Sequence, residues 1–166
     1  MSENKEKAKD FIMADDKIII YTDGACSNNQ ERINSGGWGA VLLYKDHYKE
    51  LFGGEKNTTN NRMELMAIIK ALEELKTDKI PVSIHSDSAY IMNCFKDKWY
   101  EKWRKNGWQN SKKQPVENKD LWEKLLDLAE NKIGLDKITW VKVKGHSGDK
   151  YNELADALAR KGAEKN

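Results

Sequence analysis

Four carboxylates stand where an apolar element ends or is interrupted. Asp23 closes the run Ile18-Ile19-Ile20-Tyr21-Thr22, and Asp87 closes Pro81-Val82-Ser83-Ile84-His85-Ser86. Glu64 lies one helical turn before Ile68 and two before Ala71, and Asp156 interrupts Leu154-Ala155-Asp156-Ala157-Leu158-Ala159. Taken singly, each reads as a cap, a turn residue or a surface acid. Gathered at one edge of a sheet, such acids repel one another and lose hydration, so they need protons or cations to be tolerated. The two cysteines, Cys26 and Cys94, form no CxxC pair and the three histidines are not paired. An all-oxygen ligand set of this kind suits Mg²⁺ or Mn²⁺ and not zinc.

The elements that position these acids follow from periodicity. Ile18 to Thr22 is a nearly continuous apolar run, as in a central strand covered on both faces. Gly36 to Lys45 and Tyr48 to Phe52 read as two strands of a hairpin turning near Asp46-His47. Gly37-Trp38-Gly39 opens a strand and not a helix, so it is no dinucleotide fingerprint. After the capping side chains of Thr58-Thr59-Asn60-Asn61, Leu65, Ile68, Leu72 and Leu75 define a helix to about Lys76. Pro81 to Asp87 is a further strand, followed by a short helix from Ser88 to Phe95 and a Trp-rich segment broken at Gly107. A helix over Asp120 to Asn131, a strand over Ile138 to Val143 and a final helix over Lys150 to Gly162 complete the order. Strands separated by helices pair in parallel through right-handed crossovers, which places Asp23 and Asp87 at the same sheet edge. The fold class is α/β, with a mixed five-stranded sheet and helices on both faces.

The 166 residues suffice for one domain with a sizeable core. A mean hydropathy of −0.85 is offset by six Trp, six Tyr and three Phe, large apolar groups that disordered chains lack. No apolar run approaches the length of a membrane span, and the Lys/Glu-rich start has no signal core. Together with the unpaired cysteines this points to a reducing, cytoplasmic compartment and no membrane partner. Residues 1–16 read as a disordered or weakly ordered leader, and 17–166 as the functional domain. The net charge is only +2, yet the segment from Lys96 to Lys113 carries seven basic residues against Asp97 and Glu101. It also carries Tyr100, Trp99, Trp103 and Trp108. Trp99 and Trp103 are one helical turn apart, so they either dock the segment on the core or line a basic arm along a nucleic-acid backbone.

Ile20-Tyr21-Thr22-Asp23-Gly24, Thr58-Thr59-Asn60-Asn61-Arg62-Met63-Glu64-Leu65-Met66-Ala67, His85-Ser86-Asp87-Ser88 and Lys144-Gly145-His146-Ser147-Gly148 through Asn152-Glu153-Leu154-Ala155-Asp156 together resemble type 1 ribonuclease H. The resemblance covers about Lys17 to Ala163 in the family's order. It implies the ribonuclease H-like fold and cleavage of the RNA strand of an RNA/DNA hybrid by a two-metal mechanism, leaving a 5′-phosphate and a 3′-hydroxyl. The family's metal-site carboxylates fall on Asp23, Glu64, Asp87 and Asp156, with two Mg²⁺ ions per site when substrate is bound and Mn²⁺ as a substitute. Asp23 is the candidate bridging ligand, Asp87 and Glu64 belong with the water-activating metal, and Asp156 with the metal near the leaving group. His146 resembles the family's mobile histidine, although its flanking glycines alone suggest a solvent-facing loop residue.

The same matching implies the substrate contacts. Asn29, Asn60 and Asn61 resemble groups that reach RNA 2′-hydroxyls, and the last two also suit helix capping. Thr59 and Asn118 resemble a phosphate pocket for the DNA strand; Asn57 stands where some members place an Arg. Trp99, Trp103 and Ser111 resemble the DNA-side channel. Lys102, Arg104, Lys105, Lys112 and Lys113 correspond to the family's basic protrusion. The loop Ser27 to Ser35 is longer than in many bacterial members. The expected partner is a hybrid duplex met by a monomer. The rival readings are a non-cleaving hybrid or single-strand binder, which has no reason to keep four acids, and another two-metal nuclease of the same fold.

Overall fold

The computed structural model describes residues 16–27, 34–145 and 148–165. The proposed leader therefore lies outside the described residues except for Asp16, whose Oδ1 accepts a hydrogen bond from the Tyr44 hydroxyl at 2.7 Å. Among the described residues five strands form one sheet: β1 (Ile18–Cys26), β2 (Ser35–Tyr44), β3 (His47–Lys56), β4 (Val82–Ser86) and β5 (Ile138–Lys142). Their spatial order is β3-β2-β1-β4-β5. β1, β2 and β3 are an antiparallel meander, whereas β4 runs parallel to β1 and β5 parallel to β4. This is the mixed sheet that the alternation of strands and helices implies.

Five α-helices among the described residues cover it: α1 (Asn60–Glu74), α2 (Ala89–Asp97), α3 (Trp99–Lys105), α4 (Lys119–Asp127) and α5 (Lys150–Glu164). The main core lies on one face, where Ile20, Ala40 and Leu42 meet Leu65, Ile68 and Leu72 of α1 and Leu121, Trp122 and Leu125 of α4. Successive strand residues point to opposite faces, so Tyr21, Val41 and Leu43 turn to the other side and meet Ala155 and Leu158 of α5. The expected stripe of Leu65, Ile68, Leu72 and Leu75 is buried throughout.

Several boundaries differ from the sequence reading, among them the strand expected over Tyr48 to Phe52, which runs over His47–Lys56. β1 does not stop at Asp23, because β2 stays paired with it out to Cys26 opposite Gly36. An antiparallel neighbour extends a strand past the point where its apolar run ends. The helix expected to reach Asn131 changes at Leu128 into a π-helical turn over Leu128–Ile133, closed by Gly134 at a φ of 105°.

Close contact between α5 and β2 depends on missing side chains. A Cβ on Gly39 would lie 2.5 Å from the Ala155 carbonyl oxygen, and one on Gly37 would collide with the backbone of Ala159 and Ala163. Backbone cannot move aside as a side chain tip can. A Gly37→Ala variant is expected to lose about 2–3 kcal/mol, a fall in Tm of roughly 5–10 °C, measured in thermal melts by circular dichroism.

Candidate active site

The site is built where β1 and the start of α1 touch. A Cβ on Gly24 would lie 2.6 Å from the Glu64 nitrogen, so only glycine admits the helix this closely. Thr59 begins α1 by accepting a hydrogen bond from the Arg62 N–H at 3.1 Å, and Glu64 follows on the inner stripe. The single N–H of Gly24 then donates to Asp23 Oδ1 at 2.8 Å and to Glu64 Oε1 at 3.0 Å. Asp87 enters from the adjoining parallel strand. Behind it Ser86 Oγ accepts from the Ser88 N–H at 3.0 Å, and Ser88 caps α2 through the Ile91 N–H. Asp23, Glu64 and Asp87 each offer an oxygen within 4.8 Å of the others.

Three carboxylates this close, two of them only 7% exposed, disturb one another's protonation. Burial raises the Asp23 pKa to about 6; hydrogen bonding to Glu64 and Gly24 opposes the rise, while the charges of Asp87 and Asp156 add to it. Burial, followed by the charge of Asp23, holds Glu64 well above the usual carboxylate range. Glu64 Oε2 is buried with no hydrogen-bond partner among the described residues. An unpartnered buried carboxylate oxygen facing two further carboxylates is a donor set made for a hard divalent cation.

Asp156 is not part of this triad. It sits on α5 and pairs with Arg160 one turn on at 3.0 Å, so a cation of the chain already serves its charge, though it is near enough to raise Asp23. His146 and Asn29 lie outside the described residues; Gly145, beside His146, packs its Cα against Asp87, where an added Cβ would stand 3.0 Å from Oδ2.

The remaining named residues form a surface beside the triad. Asn60 and Asn61 are exposed in the first turn of α1. Asn118 precedes α4 in the left-handed region, φ 61°, and its Oδ1 accepts from Arg62 Nη1 at 3.5 Å, which brings it to the Thr59 end of α1. Trp99, Trp103 and Ser111 line one open cavity of about 440 Å³ with Tyr90, Lys102 and Val116. Trp103 is buried and meets Trp122 edge-on at 5.4 Å, so it docks the segment on the core while Trp99 stays half-exposed. Docking and groove-lining are thus carried by the same pair. Lys102, Lys105, Lys112 and Lys113 are exposed, whereas Arg104 turns to Glu130 through two hydrogen bonds, one of them 2.9 Å. Two contributors escaped the sequence reading. Gly24 appears there only as the last residue of Ile20-Tyr21-Thr22-Asp23-Gly24, and Arg62 lies unremarked inside the Asn-Asn-Arg-Met-Glu run.

The family model described as RNase H matches residues 15–164. The chain belongs to the ribonuclease H family. It is 51% identical over 151 residues to a ribonuclease H from Thermoanaerobacter sp. (strain X514), covering 91% of this chain and 92% of that one. Among solved structures it is similar to LC9-RNase H1, described as a type 1 RNase H with the type 2 active-site motif, with a TM-score of 0.75 and 28% identity over 89% of this chain and 72% of that one. It shares the fold of LC11-RNase H1, solved in complex with RNA/DNA hybrid, with a TM-score of 0.64 and 23% identity over 90% of this chain and 98% of that one. As a ribonuclease H the chain is a nuclease and hydrolase, and among its described residues no helix is long and apolar enough to cross a membrane.

A raised carboxylate pKa favours the folded state while the group is protonated. For Asp23 that contribution is complete below its unfolded value of 3.8 and is lost as pH climbs through about 6, with Glu64 extending the loss upward. In EDTA at pH 7.5, Asp23→Asn is therefore expected to melt above the parent by on the order of 1–3 kcal/mol. The gap closes near pH 4. Parallel thermal melts across this range check both the sign and the pH window.

Proposed function

We propose that this ribonuclease H hydrolyses the RNA strand of RNA/DNA hybrids at the Asp23, Glu64 and Asp87 cluster, with Asp156 joining when metal and substrate are bound. The observation that carries the reading is the buried carboxylate triad with its unpartnered Glu64 oxygen in a chain of this family. The hybrid seen bound to LC11-RNase H1 supports the choice of substrate. Asp23, Glu64 and Asp87 would hold one cation, and Asp23 with Asp156 would hold the other. Two divalent cations, Mg²⁺ with Mn²⁺ as a substitute, would supply Lewis acidity at the phosphoryl oxygens and an acidified water, giving 5′-phosphate and 3′-hydroxyl ends.

The chain's own groups bind and orient. Gly24 N–H holds two of the acids in one geometry before any ligand arrives. Asn60, Asn61 and Asn29 are assigned to RNA 2′-hydroxyls, the groups that separate RNA from DNA. Thr59 and Asn118 are assigned to a phosphate of the DNA strand, and Trp99, Trp103 and Ser111 to its sugars and phosphates further along. Lys102, Lys105, Lys112 and Lys113 extend the contact electrostatically. His146 is assigned to proton transfer or product release. The enzyme is read as a cytoplasmic monomer whose catalytic domain spans 17–166, with Cys26 and Cys94 unpaired.

Labelled RNA/DNA, RNA/RNA and DNA/DNA duplexes in Mg²⁺ test this directly. Only the RNA of the hybrid should be cut, EDTA should stop the reaction, and Asp87→Asn should lower kcat by at least about a thousandfold while hybrid binding survives. Cleavage of DNA/DNA, or near-normal turnover by Asp87→Asn, would overturn the assignment.

The arm gives a separate measurement. Replacing Lys102 and Lys105 by Ala should raise KM at moderate salt and reduce the log–log salt slope by about 0.7–0.9 for each phosphate that is no longer neutralised. Arg104→Ala, whose partner is Glu130, should leave that slope unchanged and lower Tm instead.

A further inference from the structure

Arg62 lies 3.5 Å from the Asn118 side chain, yet its charge is directed elsewhere. Its Nε donates to Glu55 Oε1 at 2.9 Å, and its two terminal nitrogens donate to Asp120 Oδ1 and Oδ2 at 3.2 and 3.0 Å. Thr58 Oγ donates to the same Glu55 oxygen at 2.8 Å. A guanidinium facing two carboxylates has no charge left over for a phosphate. What it retains is a fixed plane of donors, and one of them reaches Asn118 Oδ1.

That contact decides which end of the Asn118 amide faces outward. An amide has one acceptor end and one donor end. With Oδ1 turned to Arg62, Nδ2 is the end left to face other partners. Asn118 makes no cap hydrogen bond to its own helix and stands at φ 61°, so nothing in α4 itself sets this orientation. Arg62 acts on Thr59 as well. Its backbone N–H donates to Thr59 Oγ1, which occupies the acceptor side of that hydroxyl and leaves its O–H free to donate.

We propose that the Arg62 side chain is a positioning group that orients Asn118, beside Thr59, as a neutral donor toward one phosphate of the DNA strand, its own charge being spent on Glu55 and Asp120. The proposal rests on the assignment of Asn118 and Thr59 to that phosphate. It assigns Arg62 no contact with substrate. The clamp grips by hydrogen-bond geometry and not by net charge, so its removal reads in KM and not in kcat.

The test uses the full chain with a hybrid substrate in Mg²⁺ and the variants Arg62→Ala, Arg62→Lys, Asn118→Ala and Arg62→Ala with Asn118→Ala. Lysine keeps a charge for Glu55 and Asp120 but has no fork to reach Asn118, so Arg62→Lys should hold Tm near the parent. Both Arg62 variants should raise KM roughly threefold to tenfold at constant kcat. The double variant should be no worse than Asn118→Ala alone, since Arg62 works through Asn118. A single methylphosphonate walked along the DNA strand should weaken the parent at one position and weaken all four variants less there, since only Thr59 still grips that phosphate. Overturning results are a parental KM in Arg62→Lys, multiplicative effects in the double variant, or full methylphosphonate sensitivity in Arg62→Lys. An unchanged KM in Asn118→Ala would overturn the phosphate assignment itself and the proposal with it, which separates that failure from the others.

Discussion

One backbone N–H organises the buried acid cluster of this protein. The Gly24 amide donates to Asp23 and to Glu64, and it can do so only because no side chain separates the strand from the start of the helix. Two acids from different elements are thereby held side by side in a buried place, against their mutual repulsion. The rest of the sheet supplies the stiffness for this. β1 lies in the middle, paired with β4 through Tyr21 and with β2 through Asp23 opposite Gly39, so Asp23 sits on a strand held from both sides.

Function and stability pull in opposite directions at that point. The core on the α1 face, with Leu65, Ile68, Leu72 and Trp122 fully buried or nearly so, favours folding, while the acid cluster opposes it. Sites of this kind are tolerated when packing elsewhere carries a surplus. The nucleic-acid face shows the same economy of charge in another form. Arg62 and Arg104 are both bound to carboxylates, so the arginines brace the surface, while Lys102, Lys105, Lys112 and Lys113 stand exposed.

Most of the architecture was legible in the sequence. The helical period of Leu65 to Leu75, the β-branched run at Ile18 and the Asp endings of two strands all report local burial, and burial is what side-chain type encodes. Asp23, Glu64 and Asp87 were legible for the same reason, since acids inside apolar patterns violate the local rule. The end of β1 was not, because Gly24 to Cys26 are strand only by virtue of β2. The π-helical turn over Leu128–Ile133 was not legible either, because the helical stripe of Leu121, Leu125 and Leu128 runs into it without a break. Arg62 escaped notice because its meaning lies in Glu55, on the neighbouring strand, and Asp120, 58 residues on, both ordinary as surface acids. Asp156 was visible as an interruption, but its pairing with Arg160 follows from helix geometry that competes with the triad.

The glycine contact between β2 and α5 also bears on biosynthesis. Val41 and Phe52 are covered by a helix that follows them by about a hundred residues, and non-local closure of this kind is slow compared with local helix formation. Until residues 150–164 have left the ribosome, that side of the meander stays bare and Asp156 is missing. The nascent chain thus has a sheet without its second cover, a natural client for chaperones.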